Sequence, residues 1–220
     1  GDYVLAIDGI DLKGDDNPYR LLQHKTDPVT LTLNSTATKT GARETTFEPV
    51  RSEASLRYLN WVLGNYDRVA EMTDGKVGYL HIPDMGAEGA AEWIKWFYPQ
   101  MRKGGLVVDA RSNGGGNVSQ WIIERLDSKM LGTRFGRTYD PPGTYPGTVF
   151  HGHMACLLSE TSASDGDIFP YYFREAGLGP LIGKRSWGGV VGSSFTHLID
   201  GGSVFLPRSA TNDAEGNNII

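Results

Sequence analysis

The segment Ser159-Glu-Thr-Ser-Ala-Ser-Asp-Gly-Asp-Ile-Phe169 places three serine hydroxyls, Ser159, Ser162 and Ser164, between an apolar run and a helix-like run, the last two nearest the helix. His153-Met-Ala-Cys-Leu-Leu158 reads as a buried strand, and Pro170-Tyr-Tyr-Phe-Arg-Glu-Ala176, closed by Gly177, as an aromatic helix. A hydroxyl on a tight strand-to-helix turn faces the free N–H groups of the helix start, as an acyl-transfer nucleophile requires. The same residues also fit a local role. Ser164 with Asp167, or Ser162 with Asp165, has the spacing of a capping box, in which the acid reaches back to the cap N–H. No Gly-x-Ser-x-Gly elbow is present to separate the two readings.

A second loop offers complementary chemistry. Asp109-Ala-Arg-Ser-Asn-Gly-Gly-Gly-Asn117 follows the hydrophobic run Leu106-Val-Val and precedes a helical pattern. Consecutive glycines tolerate positive φ and let the backbone approach a bound atom, so they can present unobstructed N–H donors. Neither the phosphate-loop spacing nor the dinucleotide Gly-x-Gly-x-x-Gly spacing is met. A plain strand-to-helix turn is one reading of this loop; beside a serine turn, an oxyanion hole explains it better. Asp109 and Arg111 are read as braces of the turn.

Both loops need strands to hold them. From Lys76 the chain alternates: strand 77–82, helix 88–101, strand 106–109, helix 118–131, strand 148–158, a helix after Ser164, a strand at 181–182 and a strand-rich tail through 203–206. Such alternation predicts an α/β fold with a mostly parallel central sheet, whose ligand sites lie at the carboxyl ends of the strands. Upstream, Ser52 opens a connecting helix with Leu56, Leu59, Val62 and Leu63 on one face. Before it stand a strand at 3–7 stopped by Asp8-Gly9, a short helix begun by Asn17-Pro18, and strands at 28–33 and 43–48.

Composition narrows the chemistry. With 220 residues and a net charge of -5, the chain has room for a core and no basic stripe for nucleic acid. Its apolar runs fall well short of the roughly 20 residues of a membrane span. The single cysteine, Cys156, lies in an apolar run and reads as core. His151 and His153 flank Gly152 without a third ligand type, which does not make a metal site, and no cofactor is called for.

Taken together, these motifs resemble the tricorn family of serine peptidases, relatives of the carboxy-terminal processing proteases. The likeness runs through Gly78-Tyr-Leu-His-Ile-Pro-Asp-Met85, Val108-Asp-Ala-Arg-Ser-Asn-Gly-Gly-Gly116, Ser162-Ala-Ser-Asp-Gly-Asp-Ile-Phe-Pro170 and Ile182-Gly-Lys-Arg-Ser-Trp-Gly-Gly-Val190. The first 50 residues, with Gly-Asp-x-Val-Leu-Ala-Ile-Asp-Gly, resemble the second half of a PDZ domain. The resemblance implies a ClpP/crotonase-like peptidase core with flanking helices over residues 76–220, cut short at its C-terminal end. A connecting helix over 51–75 and a partial PDZ-like β-rich domain over 1–50 would precede it.

For the site, laying Ile168-Phe169 on the family's Ile-Phe pair makes Ser164 the nucleophile and leaves Ser162 structural. The N–H of Asp165 and that of Gly115 or Gly116 would form the oxyanion hole. Processing proteases place a lysine base where this chain has Trp187-Gly-Gly-Val190, and Lys184 does not match it. Tricorn-type enzymes use a histidine before the PDZ domain and a glutamate near the end of the catalytic domain, both expected outside these residues. None of the five histidines, His24, His81, His151, His153 and His197, matches a family catalytic position. The resemblance further implies peptide substrates, a homo-oligomer and a cytoplasmic location, any export signal lying outside these residues. The rival readings are a catalytically silent peptide-binding scaffold on the same fold and a small-molecule esterase or amidase.

Overall fold

The computed structural model describes residues 1–138 and 142–219. Two compact units are present, Gly1–Leu59 and Asn60–Ile220. Ile220, the end of the expected catalytic region, lies outside the described residues.

The first unit is an antiparallel sheet of β1 (Tyr3–Ile7), β2 (Ile10–Asp11), β3 (Val29–Asn34) and β4 (Arg43–Phe47) in the order β2-β1-β3-β4. Asp8 and Gly9, at φ 48° and 76°, take the doubly left-handed turn that joins right-twisted strands. Asn17 caps a single 3-10 turn, Pro18–Leu21, by accepting the Tyr19 N–H. The expected short helix is therefore no more than that turn.

Helix α1 (Ala54–Met72) leads into the second unit. There β5 (Val77–His81), α2 (Ala87–Phe97), β6 (Gly105–Asp109) and α3 (Ser119–Leu126) alternate. A hairpin of β7 (Gly132–Arg134) and β8 (Gly143–Tyr145) intervenes before β9 (His153–Leu158), α4 (Asp165–Glu175) and β10 (Leu181–Gly183). The hairpin β11 (Gly192–His197) and β12 (Ser203–Ser209) follows. β5, β6, β9 and β10 form one sheet in the order β10-β9-β6-β5, every pair parallel.

The register puts Leu80, Val108 and Cys156 side by side. They join Trp93 and Phe97 of α2, Ile122 and Leu126 of α3, and Phe169 and Phe173 of α4 in one buried core. Cys156 is fully buried, and burial pushes its thiol well above the ordinary range, so it is inert packing. The neighbouring register positions, His81, Asp109 and Leu157, alternate to the opposite face of the sheet.

Three element limits differ from expectation. α3 stops at Leu126, and Leu131, which would continue its apolar stripe, is 76% exposed. α2 ends at Phe97, and a 3-10 turn over Tyr98–Gln100 takes up the rest of the expected helix. β9 begins at His153, so residues 148–152 approach the sheet without pairing. Among the described residues no helix is long and apolar enough to cross a membrane.

Candidate active site

Because the four strands are parallel, the loops leaving the carboxyl ends of β5, β6 and β9 emerge side by side. These are residues 82–86, 110–118 and 159–164. Two further strand-like contacts tie the first two together: Met85 N–H donates to Gly115 O at 2.8 Å, and Asn117 N–H to Met85 O at 2.7 Å. This approach demands glycine at 116, where an added Cβ would lie 2.0 Å from Met85 O.

Ser164 sits immediately before α4, at φ 58° and ψ -124°, left-handed backbone that a side-chain-bearing residue adopts only under constraint. It is exposed, and its side chain makes no cap hydrogen bond to the helix. The capping-box alternative fails for both serines. Asp167, the proposed box partner of Ser164, instead accepts the N–H groups of Gly188 at 2.7 Å and Gly189 at 3.0 Å. Ser162 is fully buried and donates its hydroxyl to Ala110 O at 2.8 Å, while Asp165 accepts the N–H and hydroxyl of Ser119. These acids clamp distant loops rather than their own helix start. Gly188 and Gly189, in the segment Trp187-Gly-Gly-Val190, thus donate backbone N–H groups to Asp167.

Gly115 abuts the serine: a Cβ there would fall 2.7 Å from Ser164 Cβ, 2.9 Å from Ala163 O and 3.0 Å from Asp165 N. Its own N–H is committed to Asn113 Oδ1 at 2.9 Å. The N–H groups of Gly116 and Asp165, by contrast, have no protein acceptor among the described residues. Asp165 opens α4, where a first-turn N–H has no intrahelical partner. Both residues border a cavity of about 550 Å³ between α3 and α4, flanked by Ile123, Ile168 and Tyr172.

Asp109 and Arg111 form the expected brace. The fully buried Asp109 carboxylate accepts Arg111 N–H at 3.0 Å, pairs with its guanidinium at 2.5 Å and accepts the Tyr79 hydroxyl at 2.7 Å. Burial, with the Asp109 charge, raises the Tyr79 pKa far above the ordinary range. Arg111 in turn lies over the Trp61 ring at 5.3 Å.

No histidine side chain among the described residues is hydrogen-bonded to Ser164. His81 is buried, its Nε2 2.9 Å from Arg111 O, and burial lowers its pKa. His151 precedes β9 and His153 opens it, at the end opposite Ser164 and so roughly 16 Å away by strand rise. His197 Nδ1 meets Ser203 Oγ at 3.0 Å in the last hairpin. Lys184 pairs with Glu160 at 2.9 Å, a bond that raises its pKa, the wrong direction for a base. Among the described residues, no cluster of three His, Cys, Asp or Glu could hold a metal ion.

A serine at positive φ at the start of a helix, with two free N–H groups close by, on a parallel sheet, is a geometry suited to stabilising an oxyanion in acyl transfer. Residues 76–220 match the model of peptidase family S41, and the chain belongs to that family. It is 40% identical over 216 residues to the tricorn protease of Thermoplasma volcanium, which covers 96% of this chain and 20% of that protein. It is also 27% identical over 210 residues to a carboxyl-terminal-processing protease of Picosynechococcus, covering 91% of this chain and 49% of that protein. The crystal structure of the tricorn protease superposes with a TM-score of 0.85 at 36% identity, over 94% of this chain and 20% of that one. The chain therefore spans about a fifth of the tricorn proteins it matches.

Proposed function

We propose that this chain carries the nucleophile and oxyanion hole of a serine peptidase, with Ser164 as nucleophile and the N–H groups of Asp165 and Gly116 as the oxyanion donors. The observation that carries the reading is the pair of uncommitted N–H groups beside an exposed, left-handed Ser164. Gly115 supports from behind: its N–H is already taken, and its missing Cβ leaves room for the serine.

In the reaction Ser164 Oγ attacks the scissile carbonyl carbon as its proton passes to a general base. The carbonyl oxygen becomes an oxyanion, held by the two N–H groups. Collapse breaks the C–N bond, the base returns the proton to the leaving amine, and water hydrolyses the acyl ester. The general base comes from outside these 220 residues. The engagement of His81 and His197, and the remoteness of His151 and His153, favour that assignment. Peptide substrates and a homo-oligomer belong to the same proposal, by analogy with the relatives. The cavity between α3 and α4 borders both donors, which suits it to a substrate side chain next to the scissile bond.

The test is labelling with a fluorophosphonate probe, in the polypeptide with its natural flanking sequence, followed by mapping of the adduct. Label should sit on Ser164 and vanish in Ser164→Ala together with peptide turnover. Undiminished labelling of that variant overturns the assignment. Peptide binding without adduct or turnover in the parent would make the chain a silent scaffold instead.

A further inference from the structure

The two oxyanion donors come from different loops, Gly116 after β6 and Asp165 after β9, so something must fix their separation. Asn113 is fully buried in the glycine loop and is the residue through which all three carboxyl-end loops are joined. Its Nδ2 donates to Ile82 O at 2.9 Å, holding the loop after β5. Its Oδ1 accepts the Gly115 N–H at 2.9 Å, turning the chain so that the next N–H, that of Gly116, is left free. Its backbone O accepts the Ala163 N–H at 2.9 Å, one residue before Ser164. The two neighbours also fix the amide's orientation, because a carbonyl faces one end and an N–H the other.

The contact with the serine turn is made close by a second glycine. A Cβ at Gly166 would lie 2.3 Å from Asn113 O and 2.9 Å from its Oδ1. The first turn of α4 therefore rests on Asn113 directly, with no side chain between.

We propose that Asn113 is a positioning residue for the reaction, holding the Gly116 and Asp165 N–H groups at one fixed separation so that both reach the same oxyanion. The inference rests on the reading of Ser164 as nucleophile given above. Because the oxyanion exists only in the tetrahedral state, a misplaced pair of donors weakens that state and leaves peptide binding largely intact. A loss of this kind is carried by kcat and not by KM.

The test uses Asn113→Asp, nearly identical in shape, in the polypeptide with its natural flanks. Its carboxylate still accepts the Gly115 N–H but turns a second acceptor toward Ile82 O. Turnover of a fluorogenic peptide is measured per active site, the sites being counted from the end point of fluorophosphonate labelling. We expect kcat to fall about 100-fold with KM within twofold, and the affinity of a peptide aldehyde, which forms a tetrahedral adduct, to fall in parallel with kcat. If Asn113→Asp does not fold, Asn113→Ser decides. Its hydroxyl can receive the Gly115 N–H in the equivalent turn but cannot reach Ile82 O, and kcat should fall about tenfold at unchanged KM.

A merely structural Asn113 would lower the number of active sites or the thermal midpoint while each surviving site kept its kcat. Per-site kcat within twofold of the parent in the folded variant overturns the proposal, as does a loss borne by KM alone. Ser164→Ala is run alongside: activity surviving in it refutes the nucleophile assignment itself, and activity abolished there but intact in the Asn113 variants refutes only the positioning role.

Discussion

Replacing Gly115 with alanine tests how closely the glycine loop is pressed against the serine. The new Cβ meets Ser164 Cβ at 2.7 Å, Ala163 O at 2.9 Å and Asp165 N at 3.0 Å. Ordinary contact is about 3.5 Å, so the serine turn must retreat by about 0.8 Å, and two of the three obstacles are backbone atoms that no rotamer change can move. Gly115 also sits at φ 95°, where an alanine is strained by about 1–2 kcal/mol. Overpacking adds about 1–3 kcal/mol, so the variant should lose about 2–5 kcal/mol of stability. The retreat shifts Ser164 and the Asp165 N–H together relative to Gly116. A displacement near 1 Å typically costs about 100-fold in turnover. Denaturant melts followed by tryptophan fluorescence measure the first quantity, and the rate of fluorophosphonate labelling under conditions where the variant is folded measures the second. A folded Gly115→Ala protein with unchanged midpoint and labelling within twofold of the parent would refute the close approach.

Ser162→Ala removes the buried hydroxyl that donates to Ala110 O and should cost about 1 kcal/mol, read as a lower thermal midpoint, while labelling at Ser164 persists; loss of labelling in the folded variant would return Ser162 to the list of nucleophiles. In Asp167→Asn one of the two glycine N–H groups loses its acceptor and faces an NH2, so the midpoint should drop by the equivalent of about 1–3 kcal/mol and limited proteolysis should find the 186–190 segment; unchanged melting counts against the clamp. His81, its pKa lowered by burial, takes up a proton less readily in the fold than in the unfolded chain, which does so near pH 6.5. Its contribution is therefore complete above about pH 6.5 and is lost as the pH falls below that value. His81→Phe should flatten the dependence of the thermal midpoint between about pH 7 and pH 5, and identical slopes would exclude the buried neutral imidazole as their source.

The strands of the parallel sheet were legible because Leu106-Val-Val and the run ending in Leu158 are apolar on both faces, as strands covered on two sides must be. The hairpin of β7 and β8 was not, since Gly-Thr-Arg and Gly-Thr-Tyr are too short and polar to show a period. The serine turn and the glycine loop stand out as candidates from residue types alone, while the choice of Ser164 over Ser162 rests on the family resemblance. The importance of Asn113 could not, because an asparagine among glycines looks like any turn former. Only the convergence of three loops buries it and uses both ends of its amide. For the same reason spacing offers local caps as one reading of Asp165 and Asp167: their partners, Ser119 and Gly188-Gly189, lie 46 residues away in the first case and 21 and 22 in the second. Spacing rules see only the near neighbour.

The sheet order has a consequence for when the protein can become reactive. β5, β6, β9 and β10 are laid edge to edge in the order in which the ribosome delivers them. Each new strand can dock on the free edge of those already paired, and the glycine cradle of the second strand is in place before the serine arrives behind the third. The carboxylate of Asp167 gains its two N–H partners only once Gly188 and Gly189 have emerged. The proposed nucleophile is thus assembled late in the synthesis of this segment, after the glycine cradle against which it packs.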